Sequence, residues 1–485
     1  MSGLAVRGGA ATWEGLRRRL RGTAVLPGDA AYPVARQSHL VEWDTSRPAA
    51  VVYCADAGDI RACLAFAQEH GLPAVPRSGG HSTAGWSTTP GLVMDVSRLD
   101  EVVVGPGTVT AGAGLQFVDL LAATAPHGVA VPGGMNPTVG LAGFVQGGGF
   151  GLLTRSAGLA CDRLVSAEVV LADGRTVTCS ADSHPDLYWA LRGGGGGNFG
   201  VVTRFELRPV HITRMVNYTV AWPWRDALRV LSGWQRWGAA AGRQLGSSLL
   251  VVLPDAAPAA VPLVRIIGGW TGAPEELTSA LDGLTAEVGT APALREERDL
   301  AFRDAMTEWY ECTGKTLAQS HTVGHNPEAT LPRGPYQRSR NRLCTGPVPE
   351  DGLAAVLAAF DADRRAGHTR VLNGFLLGGA ANDVPRTATA YVHRDAEFLW
   401  AFGDSLPAAV TAADADERAA GLAWTDRLFS AVDAHSDGES YHNYLDPRLT
   451  DWRRAYYGEN YRRLCEVKRA YDPAGFFRFP QSVGA

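Results

Sequence analysis

Pro76-Arg77-Ser78-Gly79-Gly80-His81-Ser82 is the stretch on which the reading of this chain turns. Neither glycine carries a Cβ and both accept positive φ, so the backbone here can close on a ligand. Successive N–H groups in such a turn form a concave anion site suited to a diphosphate. A histidine directly after the glycines is then placed at that ligand. Arg77, Ser78, Gly79, Gly80, His81 and Ser82 are therefore candidate ligand contacts. A second segment, Gly158-Leu159-Ala160-Cys161-Asp162, offers a thiol. On its own that thiol would read as a small buried apolar side chain.

Working outward from the turn, residues 50–53 read as a short buried strand. Asp56 caps a helix in which Ile60, Leu64 and Ala67 recur at helical spacing, and Gly71 ends it. Ala74-Val75 begins the strand that delivers the turn, which makes a small parallel unit. A short helix is predicted over 12–20, strands over 92–96, 101–104 and 108–111, and a helix over 115–124. Next come Pro132-Gly133-Gly134, residues 138–143 and residues 147–151. So many glycines cannot fill a core; they lay backbone flat against a ligand. Pro132, Gly133, Gly134, Gly140, Gly143, Gly148 and Gly151 join the candidate contacts on that ground.

Asp173-Gly174 between two strand-like runs predicts a hairpin. Residues 195–200 spell G-x-G-x-x-G, but a helix precedes them and a strand over 201–207 follows. That order is the reverse of a dinucleotide fingerprint. The segment reads as a turn beside the ligand, adding Gly200 and Val202. From about residue 215 the pattern changes. Strand-like runs at 218–221, 249–253, 263–267, 371–377 and 387–393 alternate with helical stretches at 224–237, 275–288 and 408–432. A last helix is expected over 459–471. The fold class is α+β, with three parts. A ligand-binding domain covers 1–212, its core at about 43–212. A substrate domain over 213–438 carries a mainly antiparallel sheet backed by helices, and a segment over 439–485 returns to the first domain.

A chain of 485 residues suggests two or three structural units. Its 46% hydrophobic and 20% charged residues are those of a globular protein, and a net charge of −5 argues against a nucleic-acid partner. No apolar run reaches the roughly 20 residues of a membrane span, and no secretory pattern opens the chain. Seven cysteines without C-x-x-C or zinc spacing point to reduced thiols and a cytoplasmic location. His321 and His325 stand four apart, but Gly324 and Pro327 argue against a helix there, so no metal site is expected.

The 77–82 turn and the 158–162 segment together resemble the FAD-linked oxidases of the berberine-bridge-enzyme type, in the vanillyl-alcohol-oxidase superfamily with its PCMH-type FAD-binding domain. Tyr441-His442-Asn443-Tyr444, Tyr457-Gly458-Glu459-Asn460-Tyr461 and Phe477-Arg478-Phe479-Pro480-Gln481-Ser482 resemble the tail of the same family. The likeness spans about 40–210 and the chain from about 440. Residues 215–435 match loosely, and substrate identity belongs there. The resemblance implies FAD held by two covalent bonds, from His81 to the 8α-methyl and from Cys161 to ring carbon-6. It implies Tyr441, beside Asn443, as the base that takes a substrate proton while hydride passes to flavin N5. Tyr391, on a predicted strand, is a second candidate phenol and Tyr444 a third. Leu164 resembles the position of the family's oxygen gate, which leaves oxidase and dehydrogenase both open.

The implied activity is oxidation of a C–OH, or an activated C–H, of a small specialised metabolite, with O2 reduced to hydrogen peroxide. Two other readings stand beside it. One is a carbohydrate or hemiacetal oxidase, marked by a polar groove with some of Trp224, Trp234, Trp237, Trp270 and Trp309 on it. The other is a non-redox cyclase that keeps its flavin for shape. The sequence leaves oligomeric state open.

Overall fold

The computed structural model describes residues 10–406 and 414–485. The first sheet contains β1 (Thr23–Val25), β2 (Ala50–Tyr53), β3 (Ala74–Arg77) and β4 (Leu92–Asp95) in the order β1-β2-β4-β3. β2, β4 and β3 are parallel, and β1 is antiparallel to β2. The helix Ala57–Glu69 links β2 to β3. Its Asp56 cap accepts the Asp59 N–H at 3.0 Å, and Ile60, Leu64 and Ala67 are buried in the first core. Each such large apolar side chain contributes about 1.5–3 kcal/mol. The parallel register sets Arg77 beside Asp95, and the two form a buried ion pair at 2.6 Å. The turn that carries His81 leaves the carboxyl end of β3, the end at which parallel sheets receive ligands.

A second sheet is antiparallel. Its region holds β5 (Val102–Val104), β6 (Val109–Gly112), β7 (Val129–Ala130), β8 (Leu164–Val170), β9 (Thr176–Ser180), β10 (Val201–Leu207) and β11 (Val210–His211). Five of these run in the order β5-β6-β10-β8-β9, while β7 pairs with β11. The β8–β9 hairpin turns at Asp173-Gly174, as expected from that dipeptide. The helix Pro185–Ala190 precedes the glycine loop 193–197.

The third sheet comprises β12 (Arg214–Trp222), β13 (Leu245–Leu253), β14 (Leu263–Trp270), β15 (Leu294–Ala301), β16 (Tyr336–Cys344), β17 (Thr369–Leu376) and β18 (Phe398–Leu406). All its pairings are antiparallel, in the order β15-β12-β14-β13-β17-β18-β16. The helices Ala227–Ala240, Pro274–Val288, Glu350–Asp361 and Ala415–Asp433 supply a second core with one face, where Leu249, Val251, Leu372 and Trp400 are buried. Side chains alternate across a strand, so Ser248, Leu250, Asn373 and Ala401 point the other way. The part of the predicted 408–432 helix that falls on residues 408–413 lies outside the described residues.

The tail returns to the first core through Leu464, Val467, Phe477 and Val483. Lys468 Nζ bonds the Asn198 carbonyl at 2.6 Å and Asp472 at 2.7 Å, which ties the last helix to the end of the glycine loop. The fold is thus the α+β architecture expected, with three differences. Residues 387–393 are not a strand. Their backbone pairs with the end of the Pro185–Ala190 helix instead: the Tyr391 N–H donates to the Arg192 carbonyl at 3.0 Å, and Asn460 Nδ2 to the Thr389 carbonyl at 3.1 Å. The strands β15, β16 and β18 went unpredicted. So did the helices Phe302–Trp309 and Glu350–Asp361.

Candidate active site

A cavity of about 710 Å³ lies between the 78–82 turn, the glycine segments and the inner face of the third sheet. Ser78, Gly79, Gly80, His81, Ser82, Gly134, Gly140, Gly143, Gly200, Val202, Tyr441 and Asn443 all line it, as does the loop 195–198. Arg77, Pro132, Gly133, Gly148, Gly151, Cys161 and Tyr391 do not.

The turn is built by close approach. Gly80 takes φ +68°, and Gly79 lies against Gly140 so tightly that a Cβ on Gly79 would fall 2.4 Å from the Gly140 nitrogen. Two backbone segments can therefore meet here without side chains between them. Arg77 works beneath this contact rather than at the ligand. Besides Asp95 it bonds the carbonyls of Ala35 (2.6 Å) and Gln37 (3.2 Å), which anchors the base of the turn. Gly133 and Gly151 pack on each other behind the wall, and Gly148 packs on the ring of Tyr391.

His81 Nε2 lies 2.9 Å from Thr138 Oγ1, and its ring stacks on His39 with centroids 3.8 Å apart. Burial, reinforced by His39, lowers the His81 pKa well below its usual value. Burial and Arg333 bring His39 down to about 4. Both imidazoles are neutral at neutral pH, the form in which a ring nitrogen is nucleophilic.

Tyr441 is buried at the cavity wall. Its phenol oxygen accepts the Gly149 N–H at 3.1 Å and the Asn443 Nδ2 at 2.9 Å, and Asn443 Nδ2 also donates to the Phe144 carbonyl at 3.1 Å. Burial pushes the phenol well up, with Tyr391 and Tyr444 adding to it, while the Asn443 and Gly149 donors pull it back. Two donors on one phenol oxygen favour its charged form. The turn is held from the sheet by Asn341 of β16. Its Oδ1 accepts the Tyr441 N–H at 2.7 Å, and its Nδ2 donates to the Tyr444 carbonyl at 2.9 Å. The sequence reading missed Asn341; its signal was a lone amide between two arginines, in a stretch too polar to read as a strand.

Cys161 is buried and does not itself line the cavity. Its N–H donates to the Gly148 carbonyl at 2.9 Å, and its side chain joins an apolar cluster with Leu159 and Tyr391 and with Tyr441, Phe150 and Phe375, which do line the cavity. Asp162 receives the Leu159 N–H at 3.0 Å and a two-pronged bond from Arg394 at 2.6 and 2.9 Å, which fixes the segment. Burial, with Asp162 next to it, pushes the thiol pKa up. Tyr391 belongs to the same cluster, its ring centroid 6.3 Å from that of Tyr441, and does not itself line the cavity. Leu164 is also off the wall, buried at the start of β8.

Several buried polar atoms at the cavity have no protein partner: His442 Nδ1 and Nε2, Gln481 Oε1 and Asn373 Oδ1. A cavity of this volume with a glycine turn, unpaired polar atoms and a neutral histidine on its wall fits FAD. His321 and His325 stack at 4.3 Å in a loop, with His321 on Asp119, and no cluster of metal-ligating side chains occurs among the described residues.

Two family models match the chain, FAD binding domain over residues 48–180 and berberine and berberine like over 440–484. The FAD-linked oxidoreductase YgaK of Bacillus subtilis (strain 168) is 30% identical over 478 residues, spanning 96% of this chain and 98% of its own. The chain belongs to the berberine-bridge-enzyme-like FAD-linked oxidoreductases. Xylooligosaccharide oxidase of Thermothelomyces thermophilus is 31% identical over 465 residues, 90% of this chain and 87% of that one. The wild-type BBE-like 1 of Physcomitrella patens shares the fold, with TM-score 0.85 at 24% identity over 97% of this chain and 98% of that chain.

In this FAD-dependent oxidoreductase, the third sheet forms the wall opposite the turn. Ser248, Asn373, Ser405, Ser339 and Gln337 present neutral polar groups, among Leu250, Ile267, Val371 and Phe375. No acidic side chain lines the cavity, and its one arginine, Arg478, lies on the tail segment. Of the five tryptophans weighed, Trp309 alone reaches the wall. Trp234, Trp237 and Trp270 are buried in the second core and Trp224 packs against it. Among the described residues, no helix is long and apolar enough to cross a membrane.

Proposed function

We propose that this BBE-like oxidoreductase oxidises a C–OH group of an uncharged, hydroxyl-bearing small molecule, with dioxygen accepting the electrons as hydrogen peroxide. The carrying observation is the Tyr441 phenol oxygen on the cavity wall, held by the Gly149 N–H and the Asn443 amide. FAD, when bound, supplies the hydride acceptor. Ser78, Gly79, Gly80, His81 and the loop 195–198 would hold it, with Gly134, Gly140, Gly143, Gly200 and Val202 along its length. Tyr441 receives the proton of the substrate hydroxyl in its phenolate form, whose share grows with pH because burial raises the phenol. The two N–H groups aimed at its oxygen stabilise the negative charge that makes it a base. Asn341 keeps the phenol in register with the sheet.

The substrate lies against the sheet, where hydroxyl and amide side chains meet sugar-like hydroxyls and Trp309, Phe375 and Tyr444 take its apolar faces. The lack of acidic side chains suits a neutral molecule. This supports two substrate readings, a specialised metabolite and a carbohydrate. The neutral polar row favours a sugar unit, and a relative named for xylooligosaccharide oxidation agrees. Seven free thiols suit a reducing cytoplasm.

The test is anaerobic mixing of the flavoprotein with neutral sugars, with glycosylated aromatic compounds and with charged analogues of each. Flavin bleaching is expected with neutral C–OH donors, and peroxide should form one for one when air is admitted. Product formation with flavin that stays oxidised throughout would replace this reading with that of a cyclase.

A further inference from the structure

We infer that a second, smaller cavity behind the flavin site holds dioxygen on its way to the reduced cofactor. The inference rests on the reading of dioxygen as electron acceptor given above. The cavity measures about 20 Å³ and lies between the helices Phe117–Thr124 and Phe302–Trp309. Phe117, Leu120, Leu121, Leu153, Phe302 and Met306 line it, and each is at most 8% exposed. No charged side chain is in the lining. A water needs roughly 10–15 Å³ of space and about two to four polar partners. The space suffices, but the partners are already engaged: Thr124 Oγ1 donates to the Leu120 carbonyl at 2.8 Å, and the Tyr310 hydroxyl donates to the Gly134 carbonyl at 3.5 Å. An apolar void of this kind stays dry and takes up small apolar molecules. Dioxygen is the apolar molecule that the proposed reaction consumes.

Position decides what the small cavity serves. Gly133 lines it, and the next residue, Gly134, lines the flavin cavity. One glycine peptide therefore separates the two spaces. Beside that peptide, Phe117 of the small cavity meets Phe144 of the large one at a steep angle, with ring centroids 4.6 Å apart. Both glycines are required by this packing. A Cβ on Gly133 would fall 2.7 Å from the Phe117 ring, and one on Gly134 would fall 2.9 Å from the Phe144 ring. The side-chain part of the partition is thus two aromatic rings, which a small neutral molecule passes when a ring turns and which a sugar or an ion does not. Dioxygen enters by the glycine wall, while the substrate lies against the third sheet.

The experiment reads reoxidation apart from substrate turnover. Flavin in the wild-type holoenzyme, in L121F and in L121A is reduced with light under argon and mixed with oxygenated buffer in a stopped-flow instrument. L121F fills the cavity, so its second-order rate of reoxidation should fall several-fold while the flavin spectrum stays that of the wild type. L121A enlarges the cavity and should reoxidise at least as fast as the wild type. Wild-type crystals under krypton pressure should show a krypton atom between Phe117, Leu121 and Met306. Equal reoxidation in all three proteins, or ordered water in place of krypton, would overturn the oxygen site and leave the FAD reading standing. Reduced wild-type flavin that is indifferent to oxygen would instead fail dioxygen as the acceptor, and this route with it.

Discussion

Tyr441 owes its chemistry to two N–H groups, from Gly149 and Asn443. Y441F removes the proton acceptor while keeping the ring. Flavin reduction should slow by about 10²–10⁴-fold, in the range of a lost general base, with the flavin spectrum retained. Asn443 sets when the phenol can act. Its amide lies over Gly147, where an added Cβ would fall 1.8 Å from Oδ1, so it is held on the phenol oxygen. Asn443→Ala removes one donor to the charged form. The phenol pKa then rises further, and the limb on which flavin reduction speeds up with pH should move to higher pH by about one unit, as one lost hydrogen bond to a charged group implies. A profile that stays in place would show that the amide does not tune the base. At this scale His81, Tyr441 and Asn443 were legible because each sits within a few residues of its motif. The partner of Asp162 was not legible, because Arg394 is distant in sequence and meets it only in the fold.

Elements were legible where a local pattern has one solution. The capped helix after β2, the Asp-Gly hairpin and β10 follow from spacing and turn chemistry. β15 and β16 were hidden by their charge: Leu294–Ala301 reads LREERDLA and Tyr336–Cys344 reads YQRSRNRLC. Both are edge strands of the third sheet. The charged side chains of β15 alternate toward water, as suits an open edge, whereas the β16 arginines are covered, Arg338 pairing with Glu42, Arg340 with Asp446 and Arg342 with Asp433. The parallel pair β3–β4 carries the prediction proper to this scale. Arg77 and Asp95 are neighbours in register and almost wholly buried, with side chains 4% and 6% exposed. Asp95→Ala leaves a buried guanidinium charge with only carbonyl partners. The expected loss is about 3–5 kcal/mol, seen as a lower denaturant midpoint. The chain should also load less flavin, because the same arginine anchors the 78–82 turn. Full flavin loading at reduced stability would separate the turn from its anchor.

Across the whole molecule, buried histidines of two kinds set the dependence of stability on pH. His442 is buried, and desolvation, with His393 adding to it, lowers it to about 3; His39 is lowered to about 4. Their unfolded value is near 6.5, so below that pH the unfolded chain binds protons that the folded chain refuses. Stability must then fall as pH drops from about 6.5 toward 3. His368 and His321 act with the opposite sign. Burial lowers both, but Asp404 and Glu417 around His368, and Asp119 beside His321, outweigh it and raise them above 6.5. Their stabilisation is complete below the unfolded value and is lost as pH climbs through their raised values. Glu439 joins the acid limb at its lower end: burial would raise it, yet His393 and Arg386 hold it at about 2, so its stabilisation is present above 4.5 and is lost as pH falls below that. The two histidine groups therefore bracket a stability maximum near pH 6.5. Guanidinium midpoints of the flavin-loaded protein across this range should trace that maximum. H442Q should flatten the acid limb, since glutamine takes no proton, and H368Q should flatten the alkaline one. Midpoints that rise steadily from pH 4 to pH 9, with neither variant changing the slope, would show that the titration is carried by other groups.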